Sequence, residues 1–444
     1  MTPAFSVVLA AYNRGHHIVP TMRSVLDQSF QDFELIVVGD CCTDDTERVI
    51  GAFRSERVTW LNLPQRSGSQ AGPNNAGIEL ARGRYVVYIG HDDVWAPDHL
   101  ATLHRCFLEN PDAAFVIAGC IYHGPPGSGF YIVTGMFEPL DDQAPRKHFF
   151  PPSSIAHRRE ITARIGPWRK PEQERAPVDA EFSLRAFSAG LRFHPTGQIT
   201  VHKFAGGHRY LSYLQMDSSE QVQLLRMMSE PSFPAFVRDI VQRSRESGRY
   251  MVAAHPDYAR YAPGQITEAN RKSKGILRPP LQALTAAAHL EQMDNPAAID
   301  WQPLKTDRHQ PYRWSGPNPR PKLLLPFTSP RRVDIRFDIL GMNEDALNCL
   351  HVRMNDRPVK FEMTRRPGMP GASVICCRTR LRRDDYSIVE FDLTGGMALD
   401  VLVRNVTGVP PRMALGSVSL APVSWISAIW PNRPPQRGAI SQSA

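Results

Sequence analysis

Apolar residues run almost without interruption from Phe5 to Ala11, and residues 33–38 repeat the pattern with only Glu34 breaking it. Strands buried on both faces of a parallel sheet need such runs. Between them Ile18, Met22, Val25 and Leu26 recur at helical spacing, and Thr43, Asp44 and Asp45 offer capping acceptors for a helix through Phe53. Residues 58–63 predict a third strand, 72–80 a helix and 84–89 a fourth strand. Pro97 suits the first turn of a helix reaching about Leu108. Alternation of this kind predicts a parallel sheet covered by helices, whose ligands sit beyond the carboxyl ends of the strands. That rule singles out residues 12–15, 40–44 and 91–95.

The pattern then changes. Residues 179–190 read as a helix carrying Phe182, Leu184 and Phe187, and residues 218–250 as helical with interruptions at Pro231 and Pro234. Residues 295–330 are rich in proline and polar side chains and read as a linker. Beyond them the period becomes two: Val333, Ile335, Phe337 and Ile339 alternate with Asp334, Arg336 and Asp338. Val352 and Met354, Val359 and Phe361, Val389 and Phe391, Val401 and Val403, and Val418 and Leu420 continue the alternation. Short alternating strands between turn residues predict an antiparallel β-sandwich. The expected division is an α/β domain over 1–215, a mainly helical segment over 216–294, the linker over 295–330, the sandwich over 331–425 and a tail over 426–444.

A length of 444 residues agrees with more than one domain, and 42% hydrophobic against 22% charged residues excludes a disordered or coiled-coil chain. The 39 prolines, nearly twice the usual share of about 5%, fall largely outside the early strands and helices. The net charge of +8 permits attraction to phosphates or an anionic membrane face, but the basic residues are scattered, so no nucleic-acid partner is expected. Seven cysteines without a CxxC pair favour reduced thiols and a cytoplasmic location. The apolar run at 418–430 is too short to span a bilayer and is broken by Pro422. Membrane contact would then be peripheral, at the inner face, and the sandwich could serve an oligomer.

Candidate chemistry lies at the predicted strand ends. Asp92 and Asp93 follow an apolar strand, and adjacent carboxylates raise each other's pKa unless a cation lies beside them. Carboxylate oxygens suit Mg2+ or Mn2+, although an Asp-Asp pair also serves as a solvated cap for the following helix. Asp40, between Gly39 and Cys41, could bond a base or ribose, or cap a turn. Asp179 opens a helix, where it could be a general base or complement the helix dipole. Trp95 could stack on a sugar or pack. Glu181, His202 and His208 could approach acceptor or diphosphate, or serve the fold. Trp425 and Trp430 are candidate sugar contacts in the sandwich. No GxGxxG, Walker A loop, zinc cluster or GxSxG elbow is present.

Residues 5–15 (FSVVLAAYNRG), 24–46 (SVLDQSFQDFELIVVGDCCTDDT) and 74–100 (NNAGIELARGRYVVYIGHDDVWAPDHL) resemble glycosyltransferase family 2, and residues 177–190 (PVDAEFSLRAFSAG) extend the resemblance to about residue 205. It implies a GT-A fold, a nucleotide-sugar donor such as a UDP-sugar, Mn2+ or Mg2+, and inversion at the anomeric carbon. Carried over by position, Ala11, Tyr12, Asp40, Asn75 and Asp92 would bind the nucleotide-sugar, Asp93 would ligate the metal and Asp179 would be the base. The acceptor would be a hydroxyl of a glycan, a lipid-linked sugar or a protein, in surface polysaccharide or glycoconjugate synthesis. Gly39, Gly90 and Asn74 depart from the family pattern. They motivate the alternative of a catalytically silent carbohydrate-binding or scaffolding protein. A nucleotidyltransferase is disfavoured because its glycine-rich basic loop is missing.

Overall fold

The computed structural model describes residues 2–124, 130–139, 141, 143–204, 217–252, 257–273, 280–290, 298–299, 305–306, 311–314, 320–342, 348, 350–369, 371–383, 385–393 and 413–423. The chain divides into two compact units, the first built largely from sequence up to residue 270 and the second from residue 271 onward.

In the first unit the order is β1 (Phe5–Ala11), α1 (Val19–Leu26), β2 (Phe33–Gly39), α2 (Thr46–Gly51), β3 (Val58–Asn62), α3 (Ala71–Leu80), β4 (Tyr85–Gly90), β5 (Val94–Trp95) and α4 (His99–Glu109). There follow β6 (Phe115–His123), β7 (Tyr131–Thr134), α5 (Ala144–Lys147), β8 (Ile155–Arg158), α6 (Ile161–Ile165), α7 (Val178–Ser188) and β9 (Phe193–Lys203). Helices α8 (Ser219–Met228), α9 (Phe233–Glu246) and α10 (Gln265–Ser273) complete it. The sheet order is β3-β2-β1-β4-β8-β6-β9-β5, with β7 beside β6.

Strands β3, β2, β1 and β4 are mutually parallel, in the register Ala11↔Gly39 and Ala10↔Gly90. Strand β8 runs antiparallel to both β4 and β6, and β9 is parallel to β6. The carboxyl ends of β1, β2, β4, β6 and β9 therefore share one edge of the sheet. At β1 the connections diverge, since β2 lies on one side and β4 on the other, and such a divergence opens a crevice at that edge. Apolar clusters fill both faces: Val7, Leu9, Leu35 and Val87 on one, Val8, Ile36, Val86 and Tyr88 on the other. This accounts for the uninterrupted apolar runs. Helix α8 packs through Leu224 against Val94 and Phe204, and α9 through Ile240 against Ile121 and Val133. Helices α8 and α9 of the expected helical segment thus join the first unit's packing, whereas its residues 282–283 and 288–290 are strands of the second unit.

In the second unit, strands over 332–342, 373–380 and 413–422 centre one antiparallel sheet, and strands over 322–325, 351–354 and 387–392 centre another. One apolar core takes side chains from both sheets, with Phe337 and Phe391 meeting edge to face at 5.1 Å. This is the sandwich that the alternation predicts. The stretch expected as a linker supplies strands instead: Leu323, Leu324 and Leu325 are buried, and Lys322–Leu325 pairs with residues 387–390. Pro321 and Pro326 bracket that strand, so the prolines end it without interrupting its hydrogen bonds. Val401, Val403, Trp425, Trp430 and the expected tail lie outside the described residues.

Candidate active site

The loops after β1 and β2 are stitched to each other. Asn13 and Cys41, each the second residue past its strand, adopt left-handed backbone with φ of 47° and 61°. Asp40 N donates to Ala11 O at 2.8 Å, Asn13 Oδ1 accepts from Thr43 N at 2.8 Å, and Thr46 Oγ1 accepts from the amides of both Arg14 and Gly15 at 2.8 Å. Asp40 is buried. Its carboxylate takes the amides of Ser67 and Gly68 at 2.6 and 2.9 Å, which draws in a loop whose Arg66 guanidinium lies 4.0 Å over the Tyr12 ring. Tyr12, Asp40 and Arg66 thereby form one wall at the β1–β2 end of the crevice. Gly39 leaves no room for a side chain, because a Cβ there would stand 2.5 Å from Trp60 and 2.6 Å from Asn62.

The two carboxylates after β4 have different surroundings. Asp93 is fully buried; its carboxylate accepts from Ser153 Oγ at 2.5 Å and from Lys203 Nζ at 3.0 and 3.3 Å. Burial pushes its pKa up to about 6, the Asp92 charge adding to the rise and Lys203 and Ser153 opposing it. Asp92 keeps 19% of its side chain exposed. Burial acts to raise its pKa but is outweighed by His91, Lys203 and Arg14, so it is held below the ordinary carboxylate value. His91 Nδ1 donates to Ala10 O at 3.1 Å and its Nε2 is 3.7 Å from Asp92. Burial, with Arg14 beside it, lowers its pKa to about 4 and keeps the ring neutral at pH 7. Gly90 is needed where it stands: a Cβ would come within 2.9 Å of the Asp93 carboxylate and 3.3 Å of that of Asp92.

Asp179 lies in the first turn of α7 and is partly exposed, its Oδ1 accepting from Ala180 N at 3.0 Å. Tyr122 on β6 relates it to the Asp93 pair. The phenol pKa is raised by burial first, and the charges acting on it include Lys203, Asp179 and Asp93. Asp92 and Asp93 thus lie beyond the carboxyl end of β4, Tyr12 and Asp40 beyond those of β1 and β2, with Ala11 closing β1, and Asp179 at the start of α7 acts with Asp93 on the Tyr122 phenol.

Other expected contacts belong to the fold. Trp95 is fully buried, donates Nε1–H to Ser153 O at 3.0 Å and stacks on His99 at 4.2 Å. Glu181 is held by Arg185 at 2.7 and 3.0 Å and lies 3.4 Å from Arg169, so its carboxylate ties α7 to the preceding loop. His202 is fully buried, with Nδ1 2.9 Å from His123 Nε2, and burial lowers its pKa to about 3. Asn75 exchanges two hydrogen bonds with the Trp168 backbone, both at 2.9 Å. His208 lies outside the described residues. Lys203, Ser153, Arg14, Tyr122 and Arg66 are the site residues that the sequence pattern does not announce. Lys203 closes an otherwise mixed strand, and its pairing with Asp93, 110 residues away, gives it a role.

Residues 6–166 match the family described as Glycosyl transferase family 2. Over 119 residues the chain is 39% identical to the putative teichuronic acid biosynthesis glycosyltransferase TuaG of Bacillus subtilis, a match covering 26% of this chain and 46% of that protein. Over 133 residues it is 28% identical to the Escherichia coli UDP-Glc:alpha-D-GlcNAc-diphosphoundecaprenol beta-1,3-glucosyltransferase WfaP, covering 30% of this chain and 50% of the relative. The chain thus spans about half the length of these curated relatives. Among solved structures, residues 1–349 of TarS from S. aureus cover 54% of this chain and 76% of their own at 18% identity, with a TM-score of 0.39.

Proposed function

We propose, from the match of residues 6–166 to glycosyltransferase family 2, that the first unit moves a sugar, with inversion, from a nucleoside-diphosphate donor to an acceptor hydroxyl. The observation that carries the reading is an anionic, partly exposed Asp92 beyond the carboxyl end of β4 and a partly exposed Asp179 at the start of α7, with Asp179 and Asp93 both acting on the Tyr122 phenol. The donor's base lies against Tyr12 and Asp40. A carboxylate has about four acceptor positions, so Asp40 can take a base N–H in addition to its two backbone amides. Arg14 and Lys203 bring positive charge to the edge where the diphosphate would sit. Fixed charge of this kind stabilises a leaving group as its negative charge develops. Asp179 takes the proton from the attacking hydroxyl, and a single displacement inverts the anomeric carbon.

Among the described residues no three His, Cys, Asp or Glu side chains cluster as a ready-made metal cage. The donor set nevertheless fits Mg2+ or Mn2+, since such ions take one or two carboxylates and complete their shell with water and substrate phosphates. Asp92 would hold the ion; Asp93 has both oxygens engaged by Ser153 and Lys203. A bound ion supplies Lewis-acid stabilisation of the leaving diphosphate. The names of TuaG and WfaP support an acceptor in cell-surface polysaccharide, carried on a lipid diphosphate in the latter case, and WfaP's name supports a UDP-sugar. Among the described residues no helix is long and apolar enough to cross a membrane. Such an acceptor would therefore be met at the membrane face, consistent with the basic net charge.

A thermal-shift screen of nucleotide sugars with and without Mn2+, followed by measurement of nucleoside diphosphate release, tests the reading. A ligand that binds only the native state raises its melting temperature. One UDP-sugar is expected to do so and to be cleaved; a panel that neither stabilises nor turns over would refute the transferase, and a GDP-sugar prevailing would refute the uracil assignment. Asp92→Ala is expected to abolish the Mn2+-dependent increment of the donor shift. An unchanged increment would move the metal elsewhere.

A further inference from the structure

Beyond the family match, the chain returns to the loop that leads into α7. Arg175 Nη1 donates to Ala259 O at 2.7 Å and to Tyr261 O at 3.1 Å, and Gly264 N donates to Glu174 O at 2.9 Å. Asp257 fixes the intervening turn by accepting from Ala259 N at 3.2 Å and Arg260 Nε at 2.9 Å. The residue presented between these anchors is Tyr258, half-buried, and its tether begins four residues before Asp179. The two side chains are electrostatic neighbours: burial raises the Tyr258 phenol pKa, and the Asp179 carboxylate raises it further.

Two phenols therefore flank Asp179 in different settings. Tyr122 lies in the field of Asp93 and Lys203 as well as Asp179, and Tyr258 lies in the field of Asp179. The Arg175 and Gly264 bonds hold Tyr258 against the loop that opens α7, in the field of Asp179. An acceptor hydroxyl that gives its proton to Asp179 must stand beside that carboxylate, where Tyr258 is held. A tyrosine offers a rigid apolar face with a polar tip, at low conformational cost. We propose that Tyr258 is an acceptor-positioning residue, its ring forming the wall on which an acceptor sugar lies while one hydroxyl of that sugar meets Asp179. The proposal rests on the glycosyltransferase reading above.

The test uses the full chain and the donor giving the largest thermal shift. Nucleoside diphosphate release is followed with water alone and with a concentration series of n-octyl glycosides. Tyr258→Ala is expected to leave donor KM and hydrolysis unchanged and to raise the glycoside KM about tenfold, a loss of the size a stacking contact contributes. Tyr258→Phe, which keeps the ring, should stay close to wild type. Arg175→Ala, which cuts the tether from outside the site, should follow Tyr258→Ala, and it carries the same test if the alanine variant melts early. An unaltered glycoside KM in both Tyr258→Ala and Arg175→Ala overturns the proposal, as does Tyr258→Phe falling as far as alanine. Wild-type hydrolysis with no glycoside accepted overturns the acceptor wall and leaves the donor reading standing. A wild type that neither binds nor cleaves any donor overturns both.

Discussion

Asp179→Asn should lower sugar transfer by about 10²- to 10⁴-fold, the range a positioned general base contributes, while leaving the donor-induced thermal shift unchanged. The amide is nearly isosteric with the carboxylate and retains an oxygen for the Ala180 amide that Asp179 now accepts at 3.0 Å. It cannot take up the acceptor's proton. The charge lost from the first turn of α7 also costs a little stability, about 0.3–1 kcal/mol at a partly exposed helix N-terminus. Melting temperature and rate are therefore expected to separate, with a small fall in the first and a large fall in the second. Transfer and hydrolysis should drop together, because water and sugar hydroxyl need the same base. A variant keeping a tenth or more of wild-type transfer would place the base on another residue.

Asp179 stands out in the sequence as a candidate because Pro177 and Val178 precede a helix whose start needs an acceptor or a negative charge, and the structure does open α7 there. Asp40 and Asp92 stand out as candidates for a related reason. Each follows an apolar run that can only be a buried strand, and parallel strands end where ligands bind. Candidates that the structure holds in its own packing have their partners far away in sequence. Trp95 bonds a carbonyl 58 residues on, and Asn75 closes on Trp168, 93 residues on. Exposed aromatic and amide groups would have suited a sugar equally well. The reversal of direction at β8 was hidden because a short buried strand carries no mark of orientation in its side chains. In the sandwich, alternation revealed the strands with one buried face, but the leucines at 323–325 alternate with nothing and sit among prolines, so composition pointed to a linker. The family departures have a local steric cause that sequence could not supply: side chains at Gly39 and Gly90 would collide with Trp60 and with the Asp93 carboxylate.

The Asp93–Lys203 pair carries the second large expected effect. Lys203→Met keeps most of the aliphatic volume and removes the ammonium, leaving a fully buried carboxylate with Ser153 as its remaining side-chain donor. Breaking a buried pair from one side costs about 3–5 kcal/mol, which should lower the melting temperature of the first unit by on the order of 10 °C. The loss should depend on pH in a definite direction. Asp93 in the native protein already has its pKa pushed up to about 6, above the 3.8 of an ordinary aspartate, and losing the opposing Lys203 charge raises it further. Between the unfolded and folded values the native state binds more protons, so its stability falls as pH rises through the folded value and recovers as pH drops toward the unfolded one. Melting curves in EDTA from pH 8 to pH 5 should therefore show the gap between variant and wild type widest at pH 8 and narrowing toward pH 5. Asp93→Asn combined with Lys203→Met should recover much of the loss at pH 8, since no charge is left buried without a partner. Asp93→Asn alone should keep the Mn2+-dependent donor shift that Asp92→Ala removes. A gap that stays constant across the pH range, or a double variant no more stable than Lys203→Met, would show that Lys203 acts through packing and not as the counter-charge of Asp93.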